Sequence, residues 1–334
     1  MNIIIPMAGM GKRMRPHTLT VPKPLIPVGG KPIVQRLVED IANVCAEPIN
    51  EISFIIGHFG DTIEKQLLDL AASLGAKGKI RYQEEALGTA HAIMCAEETL
   101  TGKTIVAFAD TLFRADFKLD SEKDGILWVS QIDDPSAFGV VKVDENNVIT
   151  DFVEKPETFV SDLAMIGIYY FREGEVLKGE LQDLIDNNIK NDGEYQLPDA
   201  LRNMTAKGMK FSPGKVDEWL DCGNKNATVY SNQRVLVNIE NELSIPTSAT
   251  QENAVIIPPC FIGENVILKN SVVGPHVSLG DNSVIENSIV ENCIIQNNAQ
   301  INNAVMNNSM LGKFTKVKGK TLDLSVSDYS TIEA

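Results

Sequence analysis

Residues 2–13 of the chain are Asn2-Ile3-Ile4-Ile5-Pro6-Met7-Ala8-Gly9-Met10-Gly11-Lys12-Arg13. The isoleucines are typical of a buried strand, and the glycines that follow predict a tight loop at its carboxyl end. Such glycines let backbone N–H groups approach the oxygens of a polyphosphate, to which Arg13 and Lys23 would add positive charge. The loop has Met14 where dinucleotide-binding proteins have a third glycine, and Gly30-Lys31 precedes Pro32 instead of the Ser or Thr of a P-loop. These residues predict a phosphate-binding loop that belongs to neither class.

Short apolar runs alternate with amphipathic segments from this loop to residue 109. The runs at Ile52–Ile56, Ile80–Gln83 and Thr104–Ala109 predict strands, and Ile33, Leu37, Ile41 and Val44 recur at helical spacing. A further helix is predicted over about residues 89–100, and the pattern between residues 125 and 171 is rich in strands. Alternating strands and helices predict an α/β fold, in which a mostly parallel sheet is covered on both faces. Ligands of such sheets bind at the carboxyl ends of the strands.

The part of the chain beyond residue 250 repeats itself. Apolar residues recur at steps of five or six positions, which is the hexapeptide pattern of a parallel β-helix. Asparagines between them suit tight corners, because Asn tolerates left-handed backbone geometry. The apolar positions are Ile256, Ile262, Leu268, Val273, Leu279, Ile285, Val290, Ile295, Ile301, Met306, Leu311 and Val317, and the corner asparagines are Asn265, Asn270, Asn282, Asn287 and Asn292.

Composition excludes several classes of protein. The 334 residues carry 30 Lys and Arg against 45 Asp and Glu, a net charge of −15 that disfavours a nucleic-acid binder. We found no apolar stretch of the length that spans a membrane and no signal peptide. The five cysteines are scattered, without a Cys-x-x-Cys pair, so we expect a reduced, cytoplasmic protein without a thiolate zinc site.

The glycine loop and its continuation, Gly-x-Gly-x-Arg-Met-x-Pro-x-Thr and Pro-Lys-Pro-Leu-x-Pro-Val, together resemble the signature of sugar-1-phosphate nucleotidylyltransferases. The resemblance covers residues 1–240 and implies a three-layer Rossmann-like catalytic domain. It also implies a linker at 241–251 and a short left-handed parallel β-helix at 252–334. The further matching positions, in chain order, are Gln83, Leu87-Gly88-Thr89-Ala90, Asp110, Phe138-Gly139-Val140, Glu154-Lys155-Pro156, Gly167-Ile168-Tyr169 and Trp219-Leu220-Asp221-x-Gly223.

The resemblance implies a reaction in which a sugar-1-phosphate attacks the α-phosphorus of a nucleoside triphosphate and pyrophosphate leaves. Two anions must meet, so the site needs cations and a metal more than a nucleophilic side chain. By motif match, Asp110 and Asp221 hold Mg²⁺, while Arg13 and Lys23 act on the phosphates. The nucleotide-binding residues are Ala8, Gly9, Gly11, Gln83 and Gly88, and the residues for the sugar phosphate are Gly139, Glu154, Lys155 and Met165.

Two side chains reduce the range of candidate substrates. The Gln83 amide offers a donor and an acceptor to uracil or thymine, which favours UTP or dTTP. GTP with mannose-1-phosphate is the alternative, since Glu84 or Glu85 would suit guanine if the register slips. Met165 lacks the amide that would pair with an N-acetyl group, which favours glucose-1-phosphate.

Other interpretations stay open at this point. A non-catalytic regulatory or assembly subunit would share the fold, although Arg13, Lys23, Asp110 and Asp221 are all present. A second, acyl-transferring activity would need a histidine base, and the β-helix offers only His276. We expect structural roles for all four histidines and a homo-oligomer formed through the β-helix. One departure from the family is Ala109 before Asp110, because alanine adopts positive φ only at a cost.

Overall fold

The computed structural model describes residues 1–154, 156, 158–319 and 321–333, and Lys155 therefore lies outside the described residues. Its internal contacts divide the chain into two compact units. Unit 1 consists of Met1–Gly9 and Leu37–Trp219. Unit 2 consists of Met10–Arg36 and Leu220–Ala334. The boundaries proposed at residues 240 and 251 stay a prediction about separate domains.

Thirteen strands precede the repeats in the part of the chain that the structure describes. The pattern of the sequence placed most of them, including the strand-rich stretch between residues 125 and 171. In chain order they are β1 (Asn2–Pro6), β2 (Pro27–Val28), β3 (Lys31–Pro32), β4 (Glu51–Ile56), β5 (Lys77–Tyr82), β6 (Thr104–Ala107), β7 (Thr111–Arg114), β8 (Gly125–Gln131), β9 (Val140–Val143), β10 (Ile149–Val153), β11 (Leu163–Phe171), β12 (Phe211–Lys215) and β13 (Glu218–Asp221).

The helices follow the predicted apolar spacing with one difference. The helix expected over residues 89–100 ends at Met94, where the Cys95 N–H is shared between the carbonyls of His91 and Ala92, and a 3₁₀ turn at Glu97–Thr99 follows. No described helix is both long enough and apolar enough to span a membrane. The helices are α1 (Ile33–Val44), α2 (Asp61–Ser73), α3 (Thr89–Met94), α4 (Gly174–Asp186), α5 (Leu197–Ala206) and α6 (Lys225–Asn238).

Unit 1 is built on a nine-stranded sheet. Its parallel part has the order β6-β1-β4-β5, and Ile3 pairs with Ile52 on one side and Ile105 on the other. Ile3, Ile4 and Ile5 are all 0% exposed, so β1 is covered on both faces. β11 extends the sheet antiparallel to β6 and also pairs with β8 and β9. The predicted α/β class is confirmed, with an antiparallel half added beyond β6.

The repeats form a parallel β-helix within unit 2. One sheet stacks β14, β17, β20, β22, β24 and β27, and all of its neighbouring strands are parallel. The coils continue past Val317, the last apolar position that the sequence pattern identified, to the strand at Thr331–Glu333. The strands are β14 (Thr250–Glu252), β15 (Val255–Ile256), β16 (Cys260–Ile262), β17 (Ile267–Lys269), β18 (Val272–Val273), β19 (Val277–Leu279), β20 (Val284–Glu286), β21 (Ile289–Ile295), β22 (Gln300–Asn302), β23 (Val305–Leu311), β24 (Lys316–Lys318), β25 (Thr321–Leu322), β26 (Ser325–Val326) and β27 (Thr331–Glu333).

Asparagine forms the corners of the β-helix. All five predicted corner residues have positive φ, between 47° and 58°. Their side chains also bond from coil to coil, as the Asn270 amide donates to Asn287 at 3.1 Å and accepts from Asn253 at 3.0 Å. The apolar positions of the repeat point inward, and of the twelve only Ile256 is partly exposed. The asparagine corners and eleven of the twelve apolar positions therefore lie where the sequence pattern predicted them.

Unit 2 also contains the glycine-loop segment, Met10–Arg36, and helix α6. The Asn232 carboxamide on α6 accepts from the Gly29 N–H at 2.8 Å and from the Ser278 hydroxyl at 2.6 Å. One buried side chain thus joins the β2–β3 turn to the β-helix. The ring of Phe261 occupies the space next to Gly30, where any Cβ would overlap it.

Candidate active site

The glycine loop of unit 2 is a series of 3₁₀ turns at Lys12–Met14, His17–Leu19 and Lys23–Leu25. Gly11 has φ +53°, and a Cβ there would lie 3.0 Å from the Lys23 Cβ and 3.1 Å from the Thr18 methyl. The Thr18 hydroxyl donates to the Gly11 carbonyl at 2.9 Å. Glycine is thus required at this position by both conformation and space, and the Lys23 stem packs against it.

Arg13 and Asp221 converge on Gly223 within the same unit. A Cβ built on Gly223 would lie 3.1 Å from an Arg13 guanidinium nitrogen and 2.9 and 3.2 Å from the two Asp221 carboxylate oxygens. The Gly223 N–H donates to that carboxylate at 2.8 Å, and the Ser231 hydroxyl donates to the Asp221 carbonyl at 2.7 Å. Two predicted site residues are therefore neighbours, although they are about 200 positions apart in the sequence.

The last coil of the β-helix contacts the glycine loop. His17 Nε2 and the Ser325 hydroxyl are 3.1 Å apart, and the Thr20 hydroxyl donates to the Asp328 carboxylate at 2.8 Å. Burial lowers the pKa of His17 to about 4, so its ring is neutral at pH 7. Its place inside unit 2 agrees with the structural role expected for it. Sequence patterns gave no sign of Ser325 and Asp328, because the contact spans 308 positions.

Three residues predicted to bind the sugar phosphate meet in unit 1. A Cβ on Gly139 would lie 2.5 Å from the Met165 terminal methyl and 2.7 Å from a Glu154 carboxylate oxygen. The Met165 N–H donates to the Gly139 carbonyl at 2.8 Å. Any residue larger than glycine at position 139 would therefore overlap the Glu154 and Met165 side chains.

Asp110 follows β6 at the carboxyl end of the sheet, next to the same cluster. Burial raises the pKa of the Tyr169 hydroxyl, and the negative charges of Glu154 and Asp110 raise it further. The Phe108 ring stands edge-on to Tyr169, with 6.3 Å between the ring centroids. Ala109 is buried and does not have positive φ, so the geometry that alanine disfavours is not needed here.

The predicted base-reading residues form a second cluster of unit 1. Gln83 donates its amide to the Gly88 carbonyl at 3.3 Å and lies 3.4 Å from His91 Nδ1. A Cβ on Gly88 would overlap the Tyr195 carbonyl oxygen, so backbone packing against Tyr195 requires this glycine. The Gln196 side chain accepts from the Thr89 hydroxyl at 3.2 Å.

The remaining nucleotide-binding candidates, Ala8 and Gly9, are the last residues of unit 1 before the glycine loop. A Cβ on Gly9 would meet nothing within 4 Å, so packing does not demand glycine at this position. Met7 is buried, as its place after β1 suggested. Of the thirteen predicted site residues, the structure thus groups Arg13 with Asp221, Gly11 with Lys23, Gly139 with Glu154 and Met165, and Gln83 with Gly88.

Comparisons with known proteins identify the family. The model of the nucleotidyl transferase family matches residues 2–238. The protein named bifunctional protein GlmU from Methanococcus maripaludis is 30% identical over 271 residues, 78% of this chain, and the chain spans 62% of that relative's length. A glucose-1-phosphate thymidylyltransferase from Streptomyces antibioticus is 26% identical over 84% of this chain and 83% of its own. The crystal structure of a putative glucose-1-phosphate thymidylyltransferase from Bacillus anthracis shares the fold, with a TM-score of 0.59, 24% identity, and coverage of 69% of this chain and 93% of that one.

Because the family model matches residues 2–238, more than two thirds of the chain, this chain belongs to the nucleotidyl transferase family.

Proposed function

We propose that this chain transfers a nucleotidyl group from a nucleoside triphosphate to a sugar-1-phosphate. A phosphate oxygen of the sugar forms the new bond to the α-phosphorus, the bond from that phosphorus to the bridging oxygen breaks, and pyrophosphate leaves with the electron pair. The nucleophile is already an anion, so no general base is required. The observation that carries the proposal is that the Arg13 guanidinium and the Asp221 carboxylate both lie next to Gly223.

Arg13 and Lys23 would neutralise the triphosphate and the leaving pyrophosphate. Arg13 is exposed, as a residue that meets a soluble anion must be. A Cβ built on Gly9 would meet nothing within 4 Å, so the space next to this residue is open. This loop offers the cations and backbone groups that phosphate oxygens bind.

Asp110 and Asp221 would hold Mg²⁺, which spreads the charge that develops on the phosphates. The donor chemistry fits, since both are half-buried carboxylates at the ends of strands. That the two share one ion rests on the motif match alone. Asp221 is already held by Gly223, which restricts its rotation before any metal binds.

Glu154, Gly139 and Met165 would bind the sugar, with Lys155 on its phosphate by motif match. A carboxylate accepts hydrogen bonds from sugar hydroxyls, and the Gly139 backbone lies 2.8 Å from the Met165 N–H in the same cluster. The Met165 methyl lies next to Gly139 and offers no amide that could pair with an N-acetyl group. This arrangement supports a plain hexose such as glucose.

The Gln83 contacts support dTTP or UTP as the nucleotide. Its NH₂ group is used by the Gly88 carbonyl, so its oxygen is the group left to accept the N3–H of thymine or uracil. The N1–H of guanine is also a donor, which keeps mannose-1-phosphate with GTP as the second candidate. Against it, the Glu84 carboxylate is 3.0 Å from His58 Nε2 and is held at the surface.

A second activity in the β-helix has less support, although one of the relatives is named a bifunctional protein. His276 has φ +62°. Its ring Nδ1 lies 3.1 Å from the Asn292 amide oxygen, and its backbone N–H donates to the Pro259 carbonyl. These are the contacts of a corner residue. We also propose self-association through the β-helix and a cytoplasmic location; a non-catalytic subunit remains the alternative of a different class.

Pyrophosphate release tests the whole proposal. Five nucleoside triphosphates, dTTP included, are each combined with glucose-, mannose- and N-acetylglucosamine-1-phosphate in the presence of Mg²⁺. We expect turnover with dTTP and UTP on glucose-1-phosphate, and little with ATP or CTP. Turnover with GTP alone would replace the pyrimidine assignment, and no turnover in any well would favour the non-catalytic subunit.

A further inference from the structure

One outer face of the β-helix carries an apolar stripe. Val255, Ile289 and Val305 are 57%, 47% and 43% exposed, and Val272 between them is half-buried. The parallel register puts them in line, since Val255 pairs with Val272, Val272 with Ile289, and Ile289 with Val305. We call these four residues the outer stripe.

The stripe is exposed because successive side chains of a strand point to opposite faces of the sheet. Val273, Val290 and Met306, the next residues along three of the same strands, are buried in the β-helix core. Their neighbours must therefore point outward, and four successive coils place a β-branched apolar residue there. A contiguous apolar row on a soluble surface is typical of an interaction site.

A charged row flanks the stripe across the asparagine corner. Glu252, Lys269, Glu286 and Asn302 end the strands of the adjoining sheet, one per coil. The first three alternate in charge, and Asn302 is neutral. Lys269 Nζ lies 3.9 Å from the Glu252 carboxylate, and the Asn302 amide donates to Glu286 at 3.0 Å. The face thus has an apolar centre and a polar rim, which is the anatomy of a protein interface.

We propose that the outer stripe binds the outer stripe of a second copy of this chain, with the two β-helices antiparallel. A two-fold axis between the coils of Val272 and Ile289 brings Val272 onto Ile289 of the second copy, and Val255 onto Val305. The same axis reverses the order of the charged row. Lys269 of each copy then faces Glu286 of the other copy, which gives two equivalent contacts. A parallel pair would bring each charged row against the opposite flank and lose this complementarity.

The inference deepens the proposed self-association and is independent of the proposed activity. Its first test is the mass of the full-length protein by size-exclusion chromatography with light scattering. We expect Ile289→Lys to weaken association at least a hundredfold. The matched control is Ile245→Lys, because Ile245 has the same type and the same 47% exposure outside the stripe, and it should leave the mass unchanged. Circular dichroism confirms that both variants fold.

The second test fixes the orientation. Single variants Val255→Cys and Val305→Cys are oxidised separately and as a mixture. The two positions lie three coils apart, about 14 Å at roughly 4.8 Å per strand, too far for a disulfide within one chain. We expect cross-linked dimers mainly in the mixture.

Charge reversal tests the contact between Lys269 and Glu286 of the second copy. Lys269→Glu and Glu286→Lys should each weaken the dimer, and the double variant should restore it.

The outcomes separate the two proposals. A wild-type monomer at all concentrations tested would overturn self-association and the stripe together. An Ile289→Lys protein that keeps its oligomeric mass would overturn the stripe while self-association stands. Cross-linking of Val255→Cys with itself would overturn the antiparallel orientation.

Discussion

At the scale of the residue, glycines of the proposed site leave room for the side chains to which we assign functions. Gly139 touches Glu154 and Met165, Gly223 touches Arg13 and Asp221, and Gly11 touches Lys23. In each case the neighbour of the glycine is a residue that the family resemblance had marked separately. The glycine is therefore part of the site, because its missing Cβ determines where the neighbouring group lies.

The Gly139 cluster leads to a prediction with a matched control. In Gly139→Ala the new methyl would displace the Glu154 carboxylate, so we expect the KM for the sugar-1-phosphate to rise at least tenfold. Gly179→Ala changes a helical glycine whose Cβ would meet nothing within 4 Å. It should keep normal kinetics and stabilise the fold by up to about 1 kcal/mol. Steady-state kinetics and thermal unfolding compare the two, and an unchanged KM in Gly139→Ala would separate Glu154 from sugar binding.

The carboxylates proposed for Mg²⁺ give a second prediction. Asp110→Asn and Asp221→Asn remove one charge each with little change in shape, and we expect turnover to fall by two or more orders of magnitude, since metal stabilisation is worth several kcal/mol. Asp192→Asn on an exposed turn is the control. The measurement is pyrophosphate release across a Mg²⁺ titration. Retention of most of the wild-type rate by both variants would show that these residues do not bind the catalytic metal.

At the scale of the element, the asparagine corners combine backbone geometry with a ladder of amides. Asn287 has φ 49° and accepts from the Asn270 amide. Glycine adopts the left-handed conformation without strain, so Asn287→Gly loses only the amide bonds. Asn287→Ala loses them too and keeps a Cβ in the left-handed region, which costs about 1 kcal/mol more than glycine. We therefore expect Asn287→Ala to be the less stable of the two in urea unfolding. Equal losses would mean that only the amide bonds matter.

The buried histidine gives the glycine loop a pH-dependent stability. Folding lowers the pKa of His17 from 6.5 to about 4, so below pH 6.5 the unfolded chain binds a proton that the folded chain does not. Above pH 6.5 the titration of His17 does not change the free energy of unfolding. As the pH decreases from 6.5 towards 4 it lowers that free energy, by about 2–3 kcal/mol at pH 4.5. We expect His17→Gln to lose this part of the pH dependence in unfolding experiments at pH 7 and 4.5. Parallel curves for wild type and variant would contradict it.

Elements were predictable from sequence where local periodicity determines them. The periodicity of the repeats predicted eleven buried positions of the β-helix and all five of the corner asparagines that it named, but it missed buried residues such as Val266, Cys293 and Ala299. The isoleucines of β1 predicted a fully buried strand of the sheet. The approach of Tyr195 to Gly88 was not predictable, because it joins residues more than 100 positions apart. For the same reason the motifs identified Arg13 and Asp221 as site residues but gave no sign that both border Gly223.

At the scale of the whole molecule, unit 2 joins the glycine loop to the repeats. From the sequence we had expected the β-helix to build an oligomer and to do no chemistry. The bonds of His17 and Thr20 to the last coil indicate an additional role, because they hold the loop that carries Arg13. A chain truncated near residue 250 should therefore lose activity.

A milder change than truncation tests the same contacts. Ser325→Ala with Thr20→Val removes one hydroxyl from each of the two bonds, and Ser330→Ala alters a neighbouring hydroxyl that bonds within its own coil. We expect hydrogen exchange of residues 10–20 to accelerate at least tenfold in the double variant only. The KM for the nucleoside triphosphate should rise, while that for the sugar phosphate should not. Unchanged exchange in the loop would show that the last coil is not what holds it.

The contact between His17 and Ser325 also sets an order of events during synthesis. At about 5–20 residues per second, the ribosome makes the last coil roughly 15–60 seconds after the loop. During that interval the loop has its cations but not the side chains that hold it. The glycine loop of the nascent chain would therefore gain the contacts of His17 and Thr20 only after the last coil has folded.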